Sequence, residues 1–187
     1  MTKVYNPLEN MYVTSAFGPR NAFKTSQGTA NPNHSGVDLR AATGSKVYVP
    51  VSGTVTKVVN GTTGFGRYVD VKTEDGYTLR FAHLSKSLVS VGQKVGAGDN
   101  VALTGATGNV TGAHLHFGVY DTAMAAIDPL GWLQAAQKAA DKQQGGLDFQ
   151  LPIKTAGGYS VSVPSGAGQA AAAALIIGAG LMLLVGD

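Results

Sequence analysis

Short runs rich in valine and threonine, separated by glycine-containing turns, fill the chain from residue 46 to residue 118. Runs of this length and composition, bounded by such turns, are typical of β-strands. We predict strands over residues 46–51, 53–59, 68–72, 78–83, 100–103 and 114–120. The dipeptide Asp75-Gly76 separates the third run from the fourth and predicts a tight hairpin. The pattern favours a mainly β fold, either a sandwich or an open barrel.

A four-residue pattern occurs twice in this region. Residues 44–47 read Gly-Ser-Lys-Val and residues 92–95 read Gly-Gln-Lys-Val, and each opens a valine-rich stretch. We interpret the pair as a duplicated β motif within one domain.

The composition divides the chain into three parts. Residues 1–135 are predicted to form the β domain, and residues 136–169 a helix-prone segment followed by a linker rich in glycine, serine and proline. Residues 170–187 form an apolar C-terminal tail that we predict to be helical. As a helix, residues 170–185 would span about 24 Å, less than the roughly 30 Å of a bilayer's hydrocarbon core. Packing against other proteins or copies of this chain is therefore favoured, with membrane contact as the alternative.

Charge and cysteine content exclude several classes of function. The chain has no cysteine, which excludes disulfides, cysteine-ligated zinc and thiol catalysis. Its net charge is +3 without a run of lysines or arginines, so no nucleic-acid partner is expected. A mild positive charge would suit an anionic substrate such as a bacterial cell wall.

The four histidines and one aspartate form two local patterns with metal-ligand spacing. His34 and Asp38 are four residues apart, and His114 and His116 are two apart. Residues two or four apart on a strand share a face, so each pair can converge. Catalytic zinc takes three nitrogen or oxygen ligands, which His34, Asp38 and one histidine of the second pair would supply. His83 and the remaining histidine would then be free for proton transfer. Taken singly, either pattern is more often a set of hydrogen-bonded side chains than a metal site.

The sequence resembles the lysostaphin-type (LytM-like) zinc metallopeptidases over about residues 12–133. The matching segments, in order, are Phe17-Gly-Pro-Arg20, His34-Ser-Gly-Val-Asp38-Leu, Val49-Pro-Val-Ser-Gly-Thr-Val, Phe65-Gly-Arg-Tyr-Val69, Tyr77-Thr-Leu-Arg-Phe-Ala-His83-Leu-Ser85, Val91-Gly-Gln-Lys-Val95, Gly105-Ala-Thr-Gly108, Thr111-Gly-Ala-His114-Leu-His116-Phe-Gly-Val119 and Asp128-Pro. The resemblance implies that His34, Asp38 and His116 bind Zn²⁺ and that His83 and His114 are catalytic. It further implies a narrow groove and cleavage of peptide bonds in peptidoglycan stems or cross-bridges.

Three residues depart from that family pattern. Phe81 stands where a tyrosine is common, Ala113 where a proline is common and Gly118 where a glutamate is common. None of them is a ligand position, so we expect them to affect substrate preference more than activity. Two further polar residues, Arg20 and Asn109, could either bind substrate or order loops.

The expected route to the substrate rests on the N-terminal sequence. Residues 1–20 lack the uninterrupted apolar core of a signal peptide. We therefore expect delivery by a carrier, a bacteriophage tail, with action in the host cell wall or periplasm and with other tail proteins as partners. The alternative is a non-enzymatic tail-tip, structural or activator protein that uses the same domain to bind the wall.

Overall fold

The computed structural model describes residues 3–145 and is mainly β, as the sequence predicts. It contains one helix, α1 (Pro129–Gly145). The fifteen strands are β1 (Val13–Ser15), β2 (Gly18–Pro19), β3 (Lys24–Thr25), β4 (Gly28–Thr29), β5 (Asn33–His34), β6 (Val37–Arg40), β7 (Lys46–Tyr48), β8 (Gly53–Asn60), β9 (Arg67–Thr73), β10 (Thr78–Ala82), β11 (Leu84–Ser87), β12 (Lys94–Val95), β13 (Asn100–Thr104), β14 (His114–Tyr120) and β15 (Ala126–Ile127).

Most strands belong to one large antiparallel sheet. Its order is β1-β6-β14-β10-β9-β8-β12, with β15 paired to β14. A second sheet has the order β11-β13-β7, and two small ladders join β2 to β5 and β3 to β4. The buried core is built from the alternate apolar residues of these strands, and Phe81 and Phe117 stack at its centre with ring centroids 5.5 Å apart.

All six predicted runs contain strands, and they differ from the prediction mainly at their ends. The first ends at Tyr48 instead of residue 51, because Pro50 follows closely and lacks the N–H that a strand would use. The fourth ends at Ala82, and His83 has a left-handed backbone with φ of 61°. The predicted hairpin at Asp75-Gly76 is present between β9 and β10, and Gly76 has φ of 89°.

The two copies of the repeated pattern have the same local geometry. Gly44 and Gly92 have φ of 89° and 86°, and each leads into a short strand. In both strands the lysine is exposed and the following residue, Val47 or Val95, is buried. The shared Gly-x-Lys-Val pattern therefore leads the chain into the small sheet at one copy and into the large sheet at the other.

Helix α1 follows the last strand. Asp128 caps its first turn, since its carboxylate accepts hydrogen bonds from the backbone N–H of Leu130 at 3.1 Å and of Gly131 at 3.3 Å. Trp132 packs edge-on against Tyr77 with centroids 5.9 Å apart, which secures the helix start against the core. Of the predicted helix-prone segment and linker at 136–169, residues 146–169 lie outside the described residues, as does the apolar tail at 170–187. In the part of the chain that is described, no helix is long and apolar enough to cross a membrane.

Candidate metal centre

Neighbouring strands of the large sheet bring two of the predicted ligands together. Strand β14 pairs with β6 in a register that places His116 directly opposite Asp38. Paired residues on adjacent strands project to the same face, so the two side chains meet. His34 lies on a different strand, β5, and the turn Ser35-Gly36 separates it from β6. The predicted convergence of His34 and Asp38 is therefore present, although the two residues lie on separate strands.

The three side chains place one donor atom each at the corners of a small triangle. His34 Nε2 lies 3.1 Å from Asp38 Oδ1 and 3.1 Å from His116 Nδ1. His116 Nδ1 lies 3.0 Å from Asp38 Oδ1. Two imidazole nitrogens and one carboxylate oxygen are the donor set of a catalytic zinc site that keeps a further position open. Within the described residues this is the cluster whose spacing could hold a metal ion.

The ring protons of the two histidines suit metal binding. His34 Nδ1 lies 2.7 Å from the carbonyl oxygen of Ala16, which can only accept, so this nitrogen carries the proton and Nε2 offers a lone pair. His116 Nε2 is buried and contacts no hydrogen-bond partner in the described structure. Its Nδ1 faces the other two donors, so a metal ion there would take the lone pair of Nδ1 and leave the proton on Nε2. The residues therefore fit zinc.

The ionisation states agree with this assignment. Burial alone would raise the pKa of Asp38, but hydrogen bonds and charge interactions with His116 and His34 outweigh it and hold that pKa well below its usual range. Burial lowers the pKa of His116, against the smaller opposing effect of Asp38. An ionised carboxylate and neutral imidazoles are the forms that bind zinc.

The other two histidines lie beside the triangle, and each has its Nδ1 hydrogen-bonded to a backbone carbonyl. His83 Nδ1 donates to the carbonyl of Thr107 at 2.8 Å, and His114 Nδ1 donates to the carbonyl of Gly112 at 2.9 Å. Their ring centroids are 4.8 Å apart, and His114 Nε2 lies 3.6 Å from Asp38 Oδ1. Burial, followed by the neighbouring His114, lowers the pKa of His83 to about 4, so His83 is neutral at pH 7 in the metal-free protein.

These groups open into a cleft of about 280 Å³. One wall is the β3–β4 hairpin, whose tip bridges two loops on the rim. Gln27 donates to the Thr62 carbonyl at 2.6 Å and accepts from the Gly64 N–H at 3.2 Å, while its own N–H donates to Asn109 Oδ1 at 3.2 Å. Asn109 therefore orders a loop, which was one of its two predicted roles. The cleft is lined by four parts of the chain that are far apart in sequence, within residues 20–38, 64–65, 83 and 109–116.

Two further residues contact the site in ways that the sequence did not predict. Phe65 lies over the site, with its ring centroid 5.2 Å from that of His116, and its carbonyl accepts the N–H of His83 at 3.0 Å. Arg20 Nη1 lies 3.4 Å from Asp38 Oδ2, so this arginine touches a predicted ligand. Of the residues that depart from the family pattern, Phe81 is fully buried in the core and does not line the cleft.

Comparison with known sequences places these residues in one family. The sequence model of peptidase family M23 matches residues 32–129, about half of the chain. An uncharacterised metalloprotease of Haemophilus influenzae is 43% identical over 105 residues, which is 56% of this chain and 22% of that protein. The peptidoglycan DD-endopeptidase ShyA of Vibrio cholerae is 38% identical over 105 residues, 56% of this chain and 24% of its own. This chain thus matches about a quarter of the length of these relatives.

Two solved structures share the fold. A zinc-containing peptidase from Vibrio cholerae superposes with a TM-score of 0.58 at 33% identity, covering 68% of this chain and 39% of the other. The catalytic domain of lysostaphin from Staphylococcus simulans gives a TM-score of 0.59 at 28% identity, covering 67% of this chain and 93% of that domain.

Proposed function

The chain belongs to peptidase family M23, and from that premise we propose that it is a zinc-dependent endopeptidase that hydrolyses peptide bonds in peptidoglycan stems or cross-bridges. The observation that carries the proposal is the donor triangle of His34, Asp38 and His116, with two further imidazoles beside it. The peptidoglycan substrate is supported by the similarity to a peptidoglycan DD-endopeptidase.

In the proposed reaction, the residues of the site have separate roles in metal binding and proton transfer. Zinc held by the triangle would supply a Lewis acid and would lower the pKa of water toward about 7. His83 and His114 each present an Nε2 lone pair, because a backbone carbonyl holds the ring proton on Nδ1. One imidazole accepts the proton of the attacking water and returns it to the leaving amine. The other imidazole, after taking up a proton from solvent, would stabilise the negative charge on the carbonyl oxygen. His34, His83 and His116 are buried, and the lower local dielectric there strengthens electrostatic interactions.

A turbidity assay on purified peptidoglycan tests the proposal. The wild-type chain should clear the suspension, a chelator should stop it, and added zinc should restore it. Replacing His114 with alanine should lower the rate by about 100- to 10,000-fold, because proton transfer is lost, while zinc stays bound at one equivalent. Lys57→Ala, an exposed change on β8, is the control and should keep full activity.

The same assay separates this proposal from the non-enzymatic alternative. A protein that only binds or activates would sediment with peptidoglycan and leave its turbidity unchanged, even with zinc bound. The intact donor triangle favours the hydrolase. Delivery by a bacteriophage tail stays a prediction, and mass spectrometry of purified virions would test it.

A further inference from the structure

Arg20 is held beside the metal centre by contacts on several sides. Its backbone N–H donates to the Pro32 carbonyl at 2.8 Å, and its Nε donates to the Asn31 carbonyl at 3.1 Å. Nη1 donates to Ser15 Oγ at 2.9 Å, and the guanidinium lies over the ring of Phe23, 5.0 Å from its centroid. The side chain is 19% exposed. The position of the guanidinium is therefore set by the surrounding structure before any metal binds.

The two oxygens of Asp38 face different partners because of this guanidinium. Oδ1 points to the nitrogens of His34 and His116, at 3.1 and 3.0 Å. Oδ2 points away from them to Arg20 Nη1 at 3.4 Å. A guanidinium fixed in this way gives Oδ2 a charged partner and so favours one rotation of the carboxylate plane.

We propose that Arg20 is a positioning residue that restricts Asp38 to binding zinc through Oδ1 alone. A carboxylate released from Arg20 can turn about its Cβ–Cγ bond and bring both oxygens to the metal. It can also turn toward His114 Nε2, which is 3.6 Å from Oδ1. Binding through both oxygens would fill the coordination position that a catalytic zinc site keeps open. Rotation toward His114 would place this proposed proton carrier in an ion pair with Asp38. This inference rests on the proposed zinc site and adds the group that orients one of its ligands.

The positive charge of Arg20 and its orienting effect on Asp38 should change zinc affinity in opposite directions. A guanidinium repels a divalent cation, so removing its charge would by itself raise zinc affinity. Loss of the oriented carboxylate should lower affinity, and partners of metal ligands typically contribute 10- to 100-fold. The two effects can be separated, because lysine keeps the charge but lacks the planar fork that reaches Ser15, Asn31 and Asp38 together.

Zinc affinity measured by competition with a fluorescent chelator tests the proposal. We expect Arg20→Gln and Arg20→Lys each to weaken zinc binding by about tenfold or more. With cobalt(II) in place of zinc, both variants should show the weaker visible absorption of a site with a higher coordination number. Arg40→Gln is the matched control: Arg40 lies on the same strand as Asp38 and stacks on Tyr12 at 4.4 Å. It should bind both metals as the wild type does.

The outcomes distinguish this inference from the proposed function. Unchanged or tighter zinc binding by Arg20→Gln would overturn the positioning role, as would wild-type affinity and an unchanged cobalt spectrum in Arg20→Lys. A wild-type chain that binds no zinc would instead overturn the proposed function. If the thermal midpoint of the metal-free variants falls while zinc affinity and the cobalt spectrum do not change, Arg20 has only a structural role and the proposal is wrong.

Discussion

Gly36 lies between two ligands, and adding one methyl group there should damage the metal centre. Replacing it with alanine would place the Cβ 2.5 Å from the Phe117 carbonyl oxygen and 2.7 Å from His116 Nε2. Real Cβ atoms essentially never come within 3.0 Å of such neighbours, so the first contact is 0.5 Å too short. The Phe117 carbonyl belongs to β14, which is paired on both sides. The strain must therefore move the imidazole of His116 or the turn that carries His34.

The size of the expected effect follows from the tolerance of metal ligands. Ligand distances in zinc sites hold to about 0.2 Å, and relieving this overlap requires a larger shift. We expect Gly36→Ala to lower zinc affinity by about 10- to 100-fold, the range found when the surroundings of ligands are disturbed. Overpacking should also lower the free energy of unfolding of the metal-free chain by about 1–3 kcal/mol.

Chelator competition and urea unfolding would measure both quantities. Gly112→Ala is the control, because a Cβ at Gly112 meets no atom within 4 Å although the residue lies two positions from His114. Wild-type zinc affinity in Gly36→Ala would refute the reasoning, since it would mean that the ring of His116 moves without cost to the site.

Two further predictions concern buried ionisable side chains. Because the pKa of His83 falls from 6.5 to about 4 on folding, the unfolded chain binds more protons than the folded chain between these pH values. The free energy of unfolding of the metal-free protein should therefore fall by up to about 3 kcal/mol as the pH drops through that window. Urea unfolding at pH 7 and pH 4.5 measures this loss, and an equal loss in His83→Gln would contradict the prediction. Asp70→Asn should lower the free energy of unfolding by about 3–5 kcal/mol, because it breaks a buried ion pair in which Arg80 Nε and Nη2 each donate to the carboxylate at 2.8 Å. The double variant Asp70→Leu/Arg80→Leu leaves no unpaired charge and should be closer to wild type in its unfolding midpoint. Equal stability of the single and double variants would count against a buried unpaired charge as the cause.

The features that the sequence predicts are those set by local patterns. Valine-rich runs and an Asp-Gly turn determine strands and a hairpin whatever lies beside them, and both were confirmed. His114 and His116 project to one face of β14 because they are two residues apart on a strand. The zinc requirement is likewise supported by the family and by the close approach of His34, Asp38 and His116.

The features that escape prediction depend on contacts between distant segments. Strand order places β6 beside β14, and no local pattern encodes that neighbour. Arg20 and Asn109 are both polar loop residues with the same two predicted roles. Only the fold shows that Arg20 meets Asp38 while Asn109 accepts hydrogen bonds from the β3–β4 hairpin.

The carbonyl groups that hold the histidine protons have a consequence for how the protein can evolve. Ala16, Thr107 and Gly112 contribute only main-chain oxygens to His34, His83 and His114. A point mutation changes a side chain and leaves that oxygen in place as long as the loop keeps its path. The rim of the cleft can therefore diversify its side chains to suit different substrates, while each of these imidazoles keeps its proton on the same nitrogen.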